Sequence, residues 1–120
     1  LEAGDILFVD SSHLLWPGSD VDLVLARLLP RLSQGVLVHI HDILLPWPYP
    51  PQWAWRGYTE QPGVAALLAG GGFDIVFASQ FALRRLSPFG RAPVLNDLPL
   101  VEGALETSLW LKKTTAPVWR

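Results

Sequence analysis

Residues 35–43 read "GVLVHIHDI", an apolar run that ends in polar side chains. A continuous apolar run of this length is typical of a strand buried on both faces, as in a parallel sheet. His39, His41 and Asp42 interrupt the run, and buried polar groups need partners. We therefore predict a strand over residues 36–41 that is apolar where it crosses the sheet and polar where it reaches a site.

The segment before this strand predicts a βαβ unit over residues 1–43. "DILFVD" at residues 5–10 is a second buried strand. Ser19 is a suitable N-cap for the helix between the two strands, and Pro30 should kink or end that helix. One helical face is apolar, at Val21, Val24, Leu25, Leu28, Leu29 and Leu32. A strand, a helix and a strand of this length favour parallel pairing with a right-handed crossover.

Residues 44–63 interrupt this pattern with five prolines, three tryptophans and two tyrosines. The prolines disfavour regular structure, and the aromatic rings argue against a flexible linker. We interpret the segment as a semi-rigid flap that either covers the end of the sheet or closes over a substrate. In the second case Trp47, Tyr49 and Trp53 are the candidate substrate-binding residues.

Residues 64–113 are predicted to hold a short helix and a hairpin-like pair of strands. The helix covers about residues 63–70 and stops at a run of three glycines. The strands are predicted over residues 73–81 and 108–113, with a loop over 84–103 between them. Residues 114–120 form a tail.

Composition limits the partners of the chain. The formal net charge is −2, but residues 1–60 carry seven acids against three basic residues. This half suits a cationic ligand better than nucleic acid. The chain has no cysteine and no apolar run long enough to span a membrane. We therefore expect a cytoplasmic protein that binds neither nucleic acid nor membrane.

Polar side chains follow both predicted parallel strands. Asp10 and His13 lie at and after the end of the first strand, while His41 and Asp42 end the second. Adjacent strands lie about 4.8 Å apart, so these groups can converge. Asp10 and Asp42 are candidate ligands for a divalent metal, with the histidines as supplements. The alternatives are that the acids only cap turns and that His39 is a core histidine.

Three stretches together resemble a bacterial branch of the class I S-adenosylmethionine-dependent methyltransferases. They are "LEAGDILFVDSSH", "GSDVDLVLARLLPRLSQGVLVHIHDILLPWPYP" and the "EQ" at residues 60–61. The resemblance covers nearly the whole chain and is strongest over residues 1–61. It depends on the D-S-S-H motif at residues 10–13 and the H-x-H-D motif at residues 39–42.

The resemblance implies an α/β fold, the C-terminal half of a Rossmann-like methyltransferase domain. Strands four to seven of that fold would lie in the order 4-5-7-6, with strand seven antiparallel and helices on the flanks. The glycine-rich loop and the ribose-binding acid of the first half have no counterpart in this sequence. Pro62-Gly63 departs from the family pattern and should delay or reshape the helix that follows "EQ".

The resemblance also implies roles for individual residues. His41 or His13 would be the catalytic base, and Asp10 and Ser11 would lie against S-adenosylmethionine. The acceptor would be an oxygen or nitrogen atom of a small molecule. We expect the 120 residues to be a fragment that is inactive without the missing half.

Two other functions remain open from the sequence. The chain could be a non-catalytic half-domain, or a metal-dependent hydrolase that uses the same acids. In the half-domain, strand 5–10 would be an uncovered apolar edge, and such edges pair with other chains. We therefore expect a homo-oligomer formed through residues 5–10.

Overall fold

The computed structural model describes residues 1–86 and 101–118. Most of the loop predicted over residues 84–103, and the last two residues of the predicted tail, lie outside these ranges. Within the described residues, no helix combines the length and apolar character needed to cross a bilayer.

Four strands form one mixed sheet in the order β1-β2-β4-β3. They are β1 (Ile6–Val9), β2 (Leu37–Ile40), β3 (Phe73–Ala78) and β4 (Leu109–Lys113). The pair β1 and β2 is parallel, whereas β4 runs antiparallel to both of its neighbours. The predicted mixed α/β class, the parallel first pair and an antiparallel last strand are confirmed.

The crossover between β1 and β2 is one helical segment with a changing pitch. It begins as helix α1 (Asp20–Leu23), widens into a π-helical turn (Val24–Leu28) and ends as a 3-10 turn (Leu29–Arg31). Ser19 caps it, as predicted, by accepting a hydrogen bond from Asp22 N–H. Pro30 has no N–H and its ring clashes with the carbonyl four residues earlier, so the helix cannot continue unchanged past it.

The widened turn changes which side chains the segment buries. Val21, Leu25 and Leu29 are buried at a spacing of four, whereas Leu28 is 43% exposed. The prediction of Leu28 on the apolar face was therefore wrong. It assumed 3.6 residues per turn throughout, and the π-helical turn has more.

Helix α2 (Glu60–Ala69) begins earlier than predicted. Pro62 lies in its first turn, where a backbone N–H has no partner within the helix and proline is tolerated. Of the two predicted effects of Pro62-Gly63, a delayed start of the helix is therefore wrong, and the flap ends at Thr59. Within the flap, Pro51–Arg56 forms a 3-10 turn that ends at Gly57 in a left-handed conformation.

The third predicted strand was too long. Residues 73–78 are extended, but Ser79–Leu86 forms helix α3. The apolar run continues past residue 78, so hydrophobicity alone does not mark where the strand ends. Residues from Gln80 to Arg85 are, however, mostly good helix formers. Ser79 fixes the switch, because its N–H donates to the carbonyl of Ser108 and its hydroxyl accepts from Ser108 N–H.

The core lies between the crossover, helix α2 and one face of the sheet. Its members are buried apolar side chains from both parallel strands, the crossover, α2 and β4, among them Val9, Leu29, Ile40, Val64 and Leu111. The tail is tied to this body, since Thr114 N–H donates to Gly72 and Val118 N–H donates to Pro30. Both parallel strands therefore pack on one core, which fixes the positions of their carboxyl ends relative to each other.

Gly35 connects the beginning of β2 to the chain segments on both sides of it. Its N–H donates to Lys113 O and its carbonyl accepts from Gly4 N–H, so it joins the beginning of β2 to the neighbouring strands. Its φ is +91°, and a Cβ there would lie 2.7 Å from Ala3 Cβ and 3.2 Å from Ala3 Cα. Gly18, with φ +83°, has nothing within 4 Å of such a Cβ.

We expect Gly35→Ala to lower the free energy of unfolding by about 2–4 kcal/mol, and Gly18→Ala by about 1–2 kcal/mol. Both variants acquire backbone strain, but only the first also forces Ala3 to move. Urea denaturation followed by circular dichroism measures the difference. Equal losses in the two variants would contradict the close approach of Gly35 to Ala3.

Candidate functional site

The candidate site lies where the two parallel strands end. Val9 and Ile40 are paired, so Asp10 and His41 leave the sheet at the same level. The N–H of His41 still donates to Val9 O at 2.9 Å, which holds the two chain segments together one step beyond the strands. Here the structure brings together Asp10, Ser11, His13, His41 and Asp42, all of which were site candidates from the sequence.

His13 is the centre of this cluster. Its side chain is 5% exposed, and its Nδ1 lies 2.7 Å from Glu60 Oε2. Its Nε2 lies 3.3 Å from Asp10 Oδ1 and 3.8 Å from Asp42 Oδ2. The backbone of His13 is left-handed, with φ 58°, and this turn directs the ring into the cluster.

Glu60 is a site residue that the sequence reasoning did not assign. It is fully buried at the first position of α2, and burial raises the pKa of its carboxyl group, while the hydrogen bond to His13 opposes that rise. Ser11 Oγ also approaches the carboxylate, at 3.4 Å from Oε1. Glu60 belongs to the "EQ" pair that contributes to the family resemblance, but no local pattern marks it as an acid that a loop distant in the sequence buries.

His41 and Asp42 enter the site from the end of β2. His41 Nδ1 lies 3.5 Å from Asp10 Oδ1 and 3.4 Å from Asp42 Oδ1. This nitrogen is buried but makes no hydrogen bond. Asp42 is left-handed, with φ 56°, so the strict alternation of a strand no longer applies and its carboxylate faces the same site as His41.

Arg56 and Tyr58 close the site from the flap, and neither was predicted. Arg56 Nη1 lies 3.5 Å from Asp42 Oδ2 and donates a hydrogen bond to Tyr58 OH at 2.9 Å. The Tyr58 ring lies 4.4 Å from the ring of His13. The flap therefore packs on the ends of the strands and covers the end of the sheet, which was one of the two roles predicted for it.

The three predicted substrate-binding aromatics lie in different parts of the flap. Trp53 packs beside Tyr49 and Tyr58, with ring centroids 6.1 and 6.0 Å away. Trp47 lies instead against Phe81 of α3. An open cleft of about 450 Å³ lies between the flap and the beginning of α2, and its lining includes Trp47, Tyr49 and Tyr58 but not Trp53.

Tyr49 brings a free polar group to this part of the flap. Its hydroxyl is buried without a hydrogen-bond partner. Burial, together with the charges of Glu60 and Asp42, raises the pKa of Tyr49 well above its usual range. The phenol therefore stays neutral and can donate a hydrogen bond.

The remaining candidates have structural roles in this arrangement. His39 is buried, stacks on Phe8 with centroids 4.4 Å apart and lies 3.1 Å from Ser108 Oγ, in agreement with a core histidine. Burial and the neighbouring His41 lower the pKa of His39. Ser12 binds Asp20 at the beginning of the crossover, which lowers the pKa of Asp20.

Comparison with protein-family models, with curated proteins and with solved structures found no match to this chain. The function is therefore argued from the residues and the geometry described above.

The dependence of this cluster on Glu60 can be measured. We expect Glu60→Ala to lower the free energy of unfolding by about 2–4 kcal/mol, because it leaves His13 Nδ1 buried without its partner. Glu60→Gln keeps an oxygen that can accept from Nδ1 and should cost less. Glu2→Ala removes an exposed acid and should stay within about 0.5 kcal/mol of the parent chain. Similar urea midpoints for Glu60→Ala and Glu2→Ala would show that the buried contact stabilises nothing.

Proposed function

We propose that this chain is the C-terminal half of a class I S-adenosylmethionine-dependent methyltransferase that acts on an oxygen or nitrogen atom of a small molecule. The observation that carries the proposal is the strand order β1-β2-β4-β3, in which β4 runs antiparallel to the other three strands. This arrangement corresponds to the order 4-5-7-6 that the sequence resemblance implies. The cysteine-free chain is in keeping with the reducing cytoplasm.

The position of the polar cluster supports the same proposal. In open α/β sheets, ligands bind beyond the carboxyl ends of the parallel strands. Asp10 and His41 lie at those ends, and the flap residues Arg56 and Tyr58 border the cluster from outside the sheet. A small acceptor molecule would enter beside the cleft that Tyr49 and Tyr58 line.

The charge of the site suits a cationic cofactor. Three carboxylates (Asp10, Asp42 and Glu60) surround the two histidines, and the Arg56 guanidinium contacts one of them, Asp42. When bound, S-adenosylmethionine supplies an electrophilic methyl group on a positively charged sulfonium. Carboxylates at the strand ends favour that charge by attraction. The run of glycines at 70–72 lies between α2 and β3, so it follows a helix and is not a nucleotide-binding loop.

The two histidines differ in what they can do in methyl transfer. His41 is the better placed general base, because its side chain is 40% exposed and lies between the carboxylates of Asp10 and Asp42. These acids stabilise the imidazolium that forms when the base takes the acceptor's proton. His13 is buried and bound to Glu60, so it positions Asp10 rather than reaching the acceptor.

Binding of S-adenosylmethionine tests this proposal. Isothermal titration should give micromolar affinity for the product of the complete reading frame that contains these residues. The 120-residue chain alone should bind at least a hundredfold more weakly, because it lacks the elements that hold the adenosine. Absence of binding to the complete product would overturn the methyltransferase proposal. Equal affinity of the two proteins would overturn the assignment of this chain to one half of the domain.

We further propose that the isolated chain forms a dimer through β1. Among the described strands, β1 pairs on one side only, and Ile6 and Phe8 on it are 55% and 61% exposed. The opposite edge strand, β3, is less suited because its register shifts between Ile75 and Phe77, and irregular edges resist pairing.

A lysine substituted on one edge strand at a time shows which edge forms the dimer. Sedimentation should show a dimer of the parent chain, and Ile6→Lys should convert it to a monomer, because a lysine on an edge strand opposes pairing. Ile75→Lys is the matched control, since Ile75 is similarly exposed (58%) on the other edge, and this variant should remain a dimer. A monomeric parent chain at its highest soluble concentration would refute the proposal.

A further inference from the structure

Three potential metal ligands of two chemical types meet at the strand ends. Asp10, His13 and His41 each offer one ligand atom, and these atoms all lie within 4.8 Å of one another. Asp10 and His41 directly follow β1 and β2, and His13 lies in the loop after β1, so the packed sheet holds them in place. The sequence suggested Asp10 and Asp42 as ligands with the histidines as supplements, whereas this cluster contains both histidines and Asp10.

The separations within the cluster fit a bound cation. Asp10 Oδ1 lies 3.3 Å from His13 Nε2 and 3.5 Å from His41 Nδ1. Nitrogen and oxygen ligands at ordinary zinc distances in a tetrahedral arrangement lie about 3.4 Å from each other. A metal ion therefore fits against Asp10 and either histidine without a large movement of the side chains.

The hydrogen bonds around the two rings leave the facing nitrogens available. His13 Nδ1 lies 2.7 Å from Glu60 Oε2, so the other ring nitrogen, Nε2, is the one that faces Asp10, as in carboxylate–histidine–metal arrangements. His41 Nδ1 is buried and makes no hydrogen bond, although two carboxylates lie within 3.5 Å. One ring nitrogen from each histidine and a carboxylate oxygen are therefore directed at one point, which is the arrangement that a bound cation requires.

We propose that Asp10, His13 and His41 bind one divalent cation of the borderline class, such as Zn²⁺ or Co²⁺, with Glu60 as the carboxylate that orients His13. Imidazole ligands select such ions over Mg²⁺ and Ca²⁺, which prefer oxygen. Asp42 borders the site and is held by Arg56. The inference depends on the geometry of this cluster and does not require methyl transfer.

Metal titration of the purified 120-residue chain tests the proposal without any cofactor. After treatment with a chelator, the chain should bind one Zn²⁺ per molecule by isothermal titration, and Mg²⁺ at least a hundredfold more weakly. Co²⁺ should give the intense visible absorption of a tetrahedral site. Asp10→Asn and His41→Gln should each weaken Zn²⁺ binding at least tenfold, and Glu60→Gln by about 10–100-fold.

Asp5→Asn is the matched control, because Asp5 is an exposed acid at the opposite end of β1 and should leave affinity unchanged. Asp10 is itself 56% exposed at its side chain, so Asp10→Asn should remain folded, and circular dichroism checks this. Zn²⁺ binding that is absent, or equal in the parent chain, Asp10→Asn and His41→Gln, would overturn the metal site. Neither result bears on S-adenosylmethionine binding, which is measured separately on the complete product.

Discussion

The contact between His13 and Glu60 connects every part of the candidate site. It is 2.7 Å long and almost wholly excluded from water, with side chains 5% and 1% exposed. A buried carboxylate without a partner is strongly unfavourable, so the loop after β1 and the first turn of α2 must meet at this point. That requirement also fixes the end of the flap, because Thr59 N–H donates to His13 O just before the helix begins.

Local sequence patterns predicted the elements whose boundaries depend on local chemistry. Strands β1 and β2 lie within one residue of their predicted ends, because glycine and polar residues flank each apolar run. Helix α3 was missed, since Phe77 and Phe81 continue one apolar run across the boundary between strand and helix. Helix α2 begins at Glu60 because its first two side chains have partners elsewhere, His13 and Leu44, and a local pattern does not contain those partners.

The residues of the candidate site also fall into two groups, those that a local pattern marks and those that long-range contacts bring to the site. Asp10, His13, His41 and Asp42 could be found because they follow parallel strands, and the edge of a parallel sheet is a position that sequence order predicts. Glu60, Arg56 and Tyr58 could not, because they reach the site through the flap. The flap's path depends on long-range contacts such as Gln61, which binds Leu44 N–H and the carbonyl of Trp47.

The two proposals place a positive charge at the same point, and the structure explains why one point serves both. Asp10 contacts both histidines, so its carboxylate lies in the middle of the cluster while more than half of the side chain remains exposed. Arg56 compensates only Asp42 directly, which leaves Asp10 the acid most available to a cation arriving from solvent. A metal ion bound by both imidazoles would occupy their facing nitrogens, including His41 Nδ1, which is buried. Because the His41 side chain is 40% exposed elsewhere, an acceptor would meet the other side of its ring. A cation at Nδ1 would disfavour protonation of that ring, so metal binding and base catalysis by His41 oppose each other through charge.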